Sequence, residues 1–275
     1  MVENRGIKVV MKKEKGKKQI PSEEVVSKAL NITEEAKREG ILLRLIGGPA
    51  FRIHSSPMAT KLHKKLKRLE GQEFPDIDFI ALSKQRKDVR KFFETRGWKF
   101  DSYMFFFTAG VGVRNRQIYR GAEIDVDIFY DELDMSHKID LRNRLEIDPP
   151  TVSLADLLLT KLEIFEFTDK DAKDVIVLLR DHKIGDSDAP ETINAKYIAE
   201  LFADDWGFWY TATTHLSKIK AACSIYKQLS KEDIADVTSK IDQIMKYIDE
   251  EPKTKKWRKR AETGTKKRWY REVRL

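Results

Sequence analysis

The sequence predicts the α/β class in its α+β form: a mixed-sheet domain over residues 21–150, then a helical region over residues 151–251. Three observations carry that reading. Apolar runs of strand length alternate with segments of helical period up to Pro149-Pro150, which marks a boundary. After that dipeptide only the helical period recurs. Charge also changes by segment, with 7 Lys and Arg against 2 acids in Met1–Lys18 and 11 against 2 in Pro252–Leu275. The remaining body holds 35 basic and 41 acidic residues, so a mildly acidic body lies between a basic N-terminal segment (1–20) and a basic tail (252–275).

The elements follow in order. Lys8 to Gln19 is Lys-rich and reads as a frayed segment. Pro21-Ser22 opens a helix whose Val25, Val26, Ala29, Leu30, Ile32 and Ala36 share a face, and Gly40 stops it. Ile41 to Ile46 is a strand-length apolar run that ends in a Gly47-Gly48 turn. Met58 to Leu69 reads as a basic helix, and Asp76 to Leu82 as a strand after Pro75. Ser83 to Arg96 is helical and stopped by Gly97; Trp98 to Thr108 is aromatic and β-prone. Gly110, Gly112 and the basic stretch Arg114 to Gln117 read as a hairpin or loop, and Glu123 to Tyr130 as an acidic strand.

Past Pro150, Ser153 to Asp156 has the spacing of a capping box before an apolar run that carries Leu154, Leu157, Leu158, Lys161 and Phe165 on one stripe. Asp169 to Asp181 is the next helix, and Asp186 to Pro190 a polar loop. Helices near Ala195–Ala203, Ala212–Leu229 and Lys231–Glu250 complete the region, the last with Ile234, Val237, Ile241, Ile244 and Ile248 in one stripe.

Composition narrows the function classes. The 41% hydrophobic content is ordinary for a globular chain, and no run reaches the roughly 18 apolar residues of a membrane span, so no membrane partner is expected. Met1 to Gly6 has no apolar signal core, and a cytoplasmic location is the expectation. Cys223 is the only cysteine, which excludes an intrachain disulfide and a Cys-based zinc site. The basic ends suit an anionic partner such as nucleic acid, or else are solvated segments. Trp257, Trp269 and Tyr270 lie among those basic residues, where they either stack on bases or dock onto the protein.

The chemistry-bearing pattern is acidic. Asp76 and Asp78 are two apart, so on a strand both carboxylates face one side. Like charges at that spacing repel unless a cation lies between them, and the hard cation suited to oxygen ligands and phosphates is Mg²⁺. A third carboxylate from the second acidic strand completes a two-metal arrangement, and alternation puts Asp125 and Asp127 on the same side without choosing between them. Gly47 and Gly48 let backbone approach a phosphate. Lys161 sits in an apolar stripe, either as a phosphate contact or with its stem covering core surface. Asp171 and Asp174 lie near a helix start, where acids favour the dipole. His54, His63 and His137 have no metal-ligand spacing and are read as non-catalytic.

Gly47-Gly48, Asp76-Ile-Asp78 and a third Asp before apolar residues resemble the polymerase-β-type nucleotidyltransferase superfamily. The stretches Asp127 to His137 and Leu154 to Leu162 look more particularly like prokaryotic nucleotidyltransferase-like proteins distantly similar to AbiEii-type toxins. The resemblance runs from about Ile41 to Leu179. It implies a nucleotidyltransferase fold, with Gly47 and Gly48 at the triphosphate of an NTP, Asp76 and Asp78 on Mg²⁺, and Asp127 as third ligand and general base. It further implies Lys161, and Asp174 or Asp171, at the nucleotide. The implied activity moves an NMP to a macromolecular acceptor, RNA such as tRNA or a protein. Two features depart from the pattern: Pro49 donates no N–H, and a basic helix intervenes between Gly48 and Asp76. Pro49 favours a rival class, a non-catalytic nucleotide- or nucleic-acid-binding protein on a degenerate scaffold, and the intact carboxylates count against it.

Overall fold

Pro21 fixes the entry to helix α1 (Ser22–Arg38), which buries Val25, Ala29, Ile32, Thr33 and Ala36. Gly40, at φ +71°, turns the chain into β1 (Leu43–Ile46). The computed structural model describes residues 20–67, 73–110 and 115–273. The readings on Lys8–Gln19, Leu69, Gly112 and Arg114 lie outside those residues.

The Gly47-Gly48 turn is the first turn of a helix, α2 (Gly47–His54). The basic helix α3 (Pro57–Leu66) has Ser56 as its cap and stops at a left-handed Lys67, before Leu69. Strand β2 (Asp76–Ala81) follows, then α4 (Arg86–Thr95) and the short β3 (Lys99–Phe100).

Here the structure departs from the expected β run. Residues after Phe100 form α5 (Ser102–Gly110), because the Asp101 carboxylate accepts the Met104 N–H at 2.9 Å and caps a helix against the local β preference. Of the hairpin or loop expected here, the structure forms a hairpin: strand β4 (Arg116–Arg120) pairs antiparallel with β5 (Asp125–Tyr130). Two short strands, β6 (Glu132–Asp134) and β7 (Lys138–Asp140), form a hairpin.

The main sheet is mixed and has the order β1-β2-β5-β4-β3. β2 and β5 are parallel at its centre, with antiparallel neighbours on either side. One face carries Phe79 and Tyr119 against Phe93 of α4, with Tyr119 and Phe93 stacked at 5.1 Å. Alternation then places Asp76 and Asp78 on the opposite face.

Past the Pro149-Pro150 peptide the chain runs beside β1, where Leu45 N–H donates to the Pro150 carbonyl and Val152 N–H to the Leu45 carbonyl. Helix α6 (Leu154–Leu162) has Ser153 as its cap. The reciprocal half of that capping box is not formed, because Asp156 is taken up by Arg144 at 2.8 Å. Complete boxes stand instead before α7 (Asp169–Asp181), from Thr168 and Asp171, and at Ser230 and Asp233. The polar loop at Asp186–Pro190 joins two short parallel strands, β8 (Lys183–Gly185) and β9 (Thr192–Asn194).

Helices α8 (Ala195–Asp204) and α9 (Trp206–Ala222) follow. The second begins at Trp206 rather than Ala212 because Asp205 caps it, accepting the Phe208 N–H at 3.0 Å. Helix α10 (Lys231–Glu250) buries Val237, Ile241, Ile244 and Ile248. The basic tail folds into α11 (Lys255–Thr263) and a strap that returns to the body. Its aromatics dock there: Tyr270 stacks on Phe165 at 3.5 Å, and Trp269 lies edge-on to Tyr210 at 5.1 Å. No described helix is long and apolar enough to cross a membrane.

Candidate active site

The two acidic strands meet at the centre of the sheet. Their parallel register places Asp78 beside Asp127 and Asp76 beside Asp125. Ligand oxygens of Asp76, Asp78 and Asp127 all lie within 4.8 Å of one another, a spacing that fits a shared cation. Asp125 is directed elsewhere: Arg120 Nη1 donates to it at 2.9 Å and the Gly121 N–H at 3.1 Å. Register and these two donors decide between Asp125 and Asp127, which strand alternation alone does not.

The electrostatics of the cluster are those of carboxylates in want of a cation. Burial, then the Asp76 and Asp127 charges, push the Asp78 carboxyl well above the usual carboxylate range. Burial also raises Asp127, and the Arg116 guanidinium opposes it. Arg116 Nε donates to Asp127 Oδ2 at 3.1 Å, and its Nη2 pairs with the same oxygen.

The glycine turn is fitted to this cluster. Gly47 has φ +68°, and a Cβ built on it would overlap the Asp78 carboxylate. Glycine is thus required twice, for conformation and for space. Gly47 begins α2, whose N-terminus no side chain caps. Pro49 lies in the first turn, where a missing N–H breaks no helical bond, although it removes one anion donor. Gly47 lines the cleft, whereas Gly48 is buried beside it and does not.

The cleft has a volume of about 740 Å³ and runs from the triad past Gly47 and Lys161 to Phe165 and the strap residues Tyr270–Val273. That is room for a nucleotide. Lys161 Nζ lies 2.9 Å from Asp174 and 3.3 Å from Asp171, and 5.4 Å above the Phe51 ring. Asp171 lines the cleft, where it also accepts the Thr168 N–H and hydroxyl. Asp174 does not line it. It is fully buried and also takes His63 Nε2 at 2.8 Å, so the expectation that Asp174 contacts a nucleotide is corrected to one of holding Lys161.

Four participants escaped the sequence reading. Arg116 stands on β4, in the stretch that reads as a hairpin or loop, where nothing points to Asp127. His63 was set aside for want of metal-ligand spacing, and its partner is a carboxylate on α7. Glu163 is fully buried at the cleft wall, where its Oε2 accepts the His137 N–H at 3.1 Å and burial holds its carboxyl well above the usual range. Arg271 of the strap donates from Nε to the Met135 carbonyl at 2.9 Å and pairs with Asp134 at 3.0 Å. The only sequence signal for Arg271 was the basic, aromatic composition of the tail.

A scan against protein-family models gave no match, and a search of curated proteins gave none.

Proposed function

We propose that the protein is a Mg²⁺-dependent nucleotidyltransferase on a polymerase-β-type fold, moving an NMP from an NTP to a macromolecular acceptor, RNA or protein. One observation carries the proposal: three carboxylates from two adjacent strands converge within 4.8 Å in a cleft that also presents Gly47 and Lys161. Asp76, Asp78 and Asp127 fit Mg²⁺ in ligand type, and a cation among them would relieve the crowding that Arg116 and Lys161 offset only in part. Mg²⁺ bound there supplies charge to neutralise the phosphate oxygens during in-line displacement.

The chain's own groups supply the rest. Gly47 admits the triphosphate beside β1, and Lys161 offsets the charge that develops on it. Asp127 accepts the proton of the acceptor hydroxyl as that oxygen bonds to the α-phosphorus. The bond from the α-phosphorus to the bridging oxygen breaks, and pyrophosphate leaves with the bonding pair. The strap and the Phe165–Tyr270 stack wall the far end of the cleft.

The test is incubation with labelled NTPs, Mg²⁺, cell RNA and cell protein. Label is expected in one acceptor class for the wild type and absent for Asp78→Asn. Failure of every NTP to label any acceptor, together with no Mg²⁺-dependent NTP binding, would overturn the proposal. If NTP binds without transfer, the second reading gains, a non-catalytic nucleotide-binding protein. The Arg116–Asp127 pair favours that reading, since an arginine already occupies the proposed base.

A further inference from the structure

We propose that His63 is a positioning residue that fixes the ammonium of Lys161 at the wall of the cleft through Asp174. The inference rests on the reading above only for the claim that Lys161 meets nucleotide phosphates.

Helix α3 sets out the geometry. Lys61, Lys64 and Lys65 point to solvent, while Ala59, Leu62, His63 and Leu66 are buried. His63 is therefore the polar member of an apolar face, only 1% exposed, and a buried polar group needs a partner. Its partner lies across the helix pair on α7. His63 Nε2 is 2.8 Å from Asp174 Oδ1, and since a carboxylate only accepts, Nε2 carries the proton. His63 Nδ1 is buried without a hydrogen-bond partner, so the ring's one hydrogen bond is the one to Asp174. The imidazole thus presents one fixed donor to one oxygen of Asp174.

That leaves the other oxygen for Lys161. Asp174 Oδ2 is 2.9 Å from Lys161 Nζ, and Asp174 is itself 0% exposed. The second carboxylate on the ammonium, Asp171, is fixed in its turn by Thr168. Lys161 is thus held between two carboxylates, each pinned by its own donor. The charges of Asp76, Asp78 and Asp127 lie in the same cleft and attract the same ammonium. Without the His63 hydrogen bond, Asp174 loses one of the donors that orient it, and Lys161 is held less firmly against the pull of the triad, where it would compete with a cation. The basic helix between Gly48 and Asp76 thereby acquires a role, since α3 is the element that brings His63 to α7.

The experiment compares His63→Gln, which keeps a donor at similar reach, with His63→Leu, which keeps bulk and loses the donor. The first readout needs no nucleotide: the rate at which Lys161 is modified by an amine reagent, measured by peptide mass spectrometry against exposed Lys61. His63→Leu is expected to raise that rate about fivefold as an immobilising ion pair loosens, with His63→Gln within about twofold of wild type. The second readout is the Kd for an NTP with Mg²⁺, expected to weaken about tenfold in His63→Leu and to recover in His63→Gln. Should His63→Leu fail to fold, Asp174→Asn replaces it and is expected to raise Lys161 labelling as well. Equal labelling in wild type, His63→Leu and Asp174→Asn would overturn the proposal, as would equal disturbance by Gln and Leu. If labelling changes as expected while wild type binds no NTP, His63 keeps its role and the nucleotidyltransferase reading falls.

Discussion

Replacing Asp78 by Asn removes one charge from a crowded cluster without changing its shape. At 4.8 Å, two like charges repel by about 3.5 kcal/mol for an effective dielectric of about 20. Asp78 faces two such neighbours, and both Arg116 and Lys161 offset part of the repulsion. Much of the remainder is already relieved by the raised proton affinity of Asp78 itself, which leaves a gain of about 2 kcal/mol in stability without metal. For a chain of this size that is a rise of ~4 °C in Tm. The same change should remove the metal response. Mg²⁺ at a hundred times its Kd stabilises the wild type by about 2.7 kcal/mol, and Asp78→Asn forfeits that. Thermal unfolding in EDTA, in Mg²⁺, and in Mg²⁺ with each NTP reads both effects. A variant that is less stable in EDTA and still shifts with Mg²⁺ would show that Asp78 is a structural acid and refute the reasoning.

Gly47→Ala is expected to cost about 3 kcal/mol by urea unfolding, because it combines a left-handed backbone with overlap on Asp78; Gly97→Ala, at φ +90° with open space around it, should cost only about 1 kcal/mol. Lys161→Met leaves Asp174 buried without its ammonium, so stability should fall by about 3 kcal/mol along with NTP affinity, a larger loss than a simple phosphate contact would give. Burial depresses His137 and His215 from 6.5 to about 4, so the unfolded chain binds more protons between those values. The contribution of these two histidines is accordingly absent above pH 7 and is a growing loss from pH 6.5 toward pH 4, so the urea midpoint of His215→Gln, relative to wild type, should rise as pH falls through that window and stay constant above pH 7. The exposed Lys255, Lys259, Lys266 and Lys267 form the basic face of the docked tail. If RNA binds there, changing all four to Glu should lower the salt slope of binding by about 3 without lowering Tm, and an unchanged slope would dismiss the tail as an RNA contact.

How much of this was legible in the sequence depended on whether the signal was periodic or distant. Helices α7 and α10 were readable because start signals and apolar stripes coincide, β1 because its apolar run ends at glycine, β2 because Pro75 precedes it, and β5 because acidic and apolar residues alternate along it. The acid triad was readable because a strand's period of two forces Asp76 and Asp78 to one side. Local preference misled at α5, where one capping carboxylate, Asp101, turned an aromatic stretch from strand to helix. The stretch that ends at Gln117 reads as a hairpin or loop, which leaves β4 within reach, but nothing in it signals that Arg116 meets Asp127. His63 was beyond reach for another reason: its meaning lies in Asp174, 111 residues on, and no local pattern encodes that pairing.

The strap has a consequence for which parts of the site are separable. Arg271 bonds the Met135 carbonyl across 136 residues of chain, and Tyr270 and Val273 line the cleft that the triad opens into. The carboxylates come together from residues 76–127 and owe nothing to that segment. Part of the facing wall comes from residues 270–273. The acidic centre and its enclosure therefore lie on stretches far apart in the chain. Lifting the strap would expose an acidic surface without dispersing it.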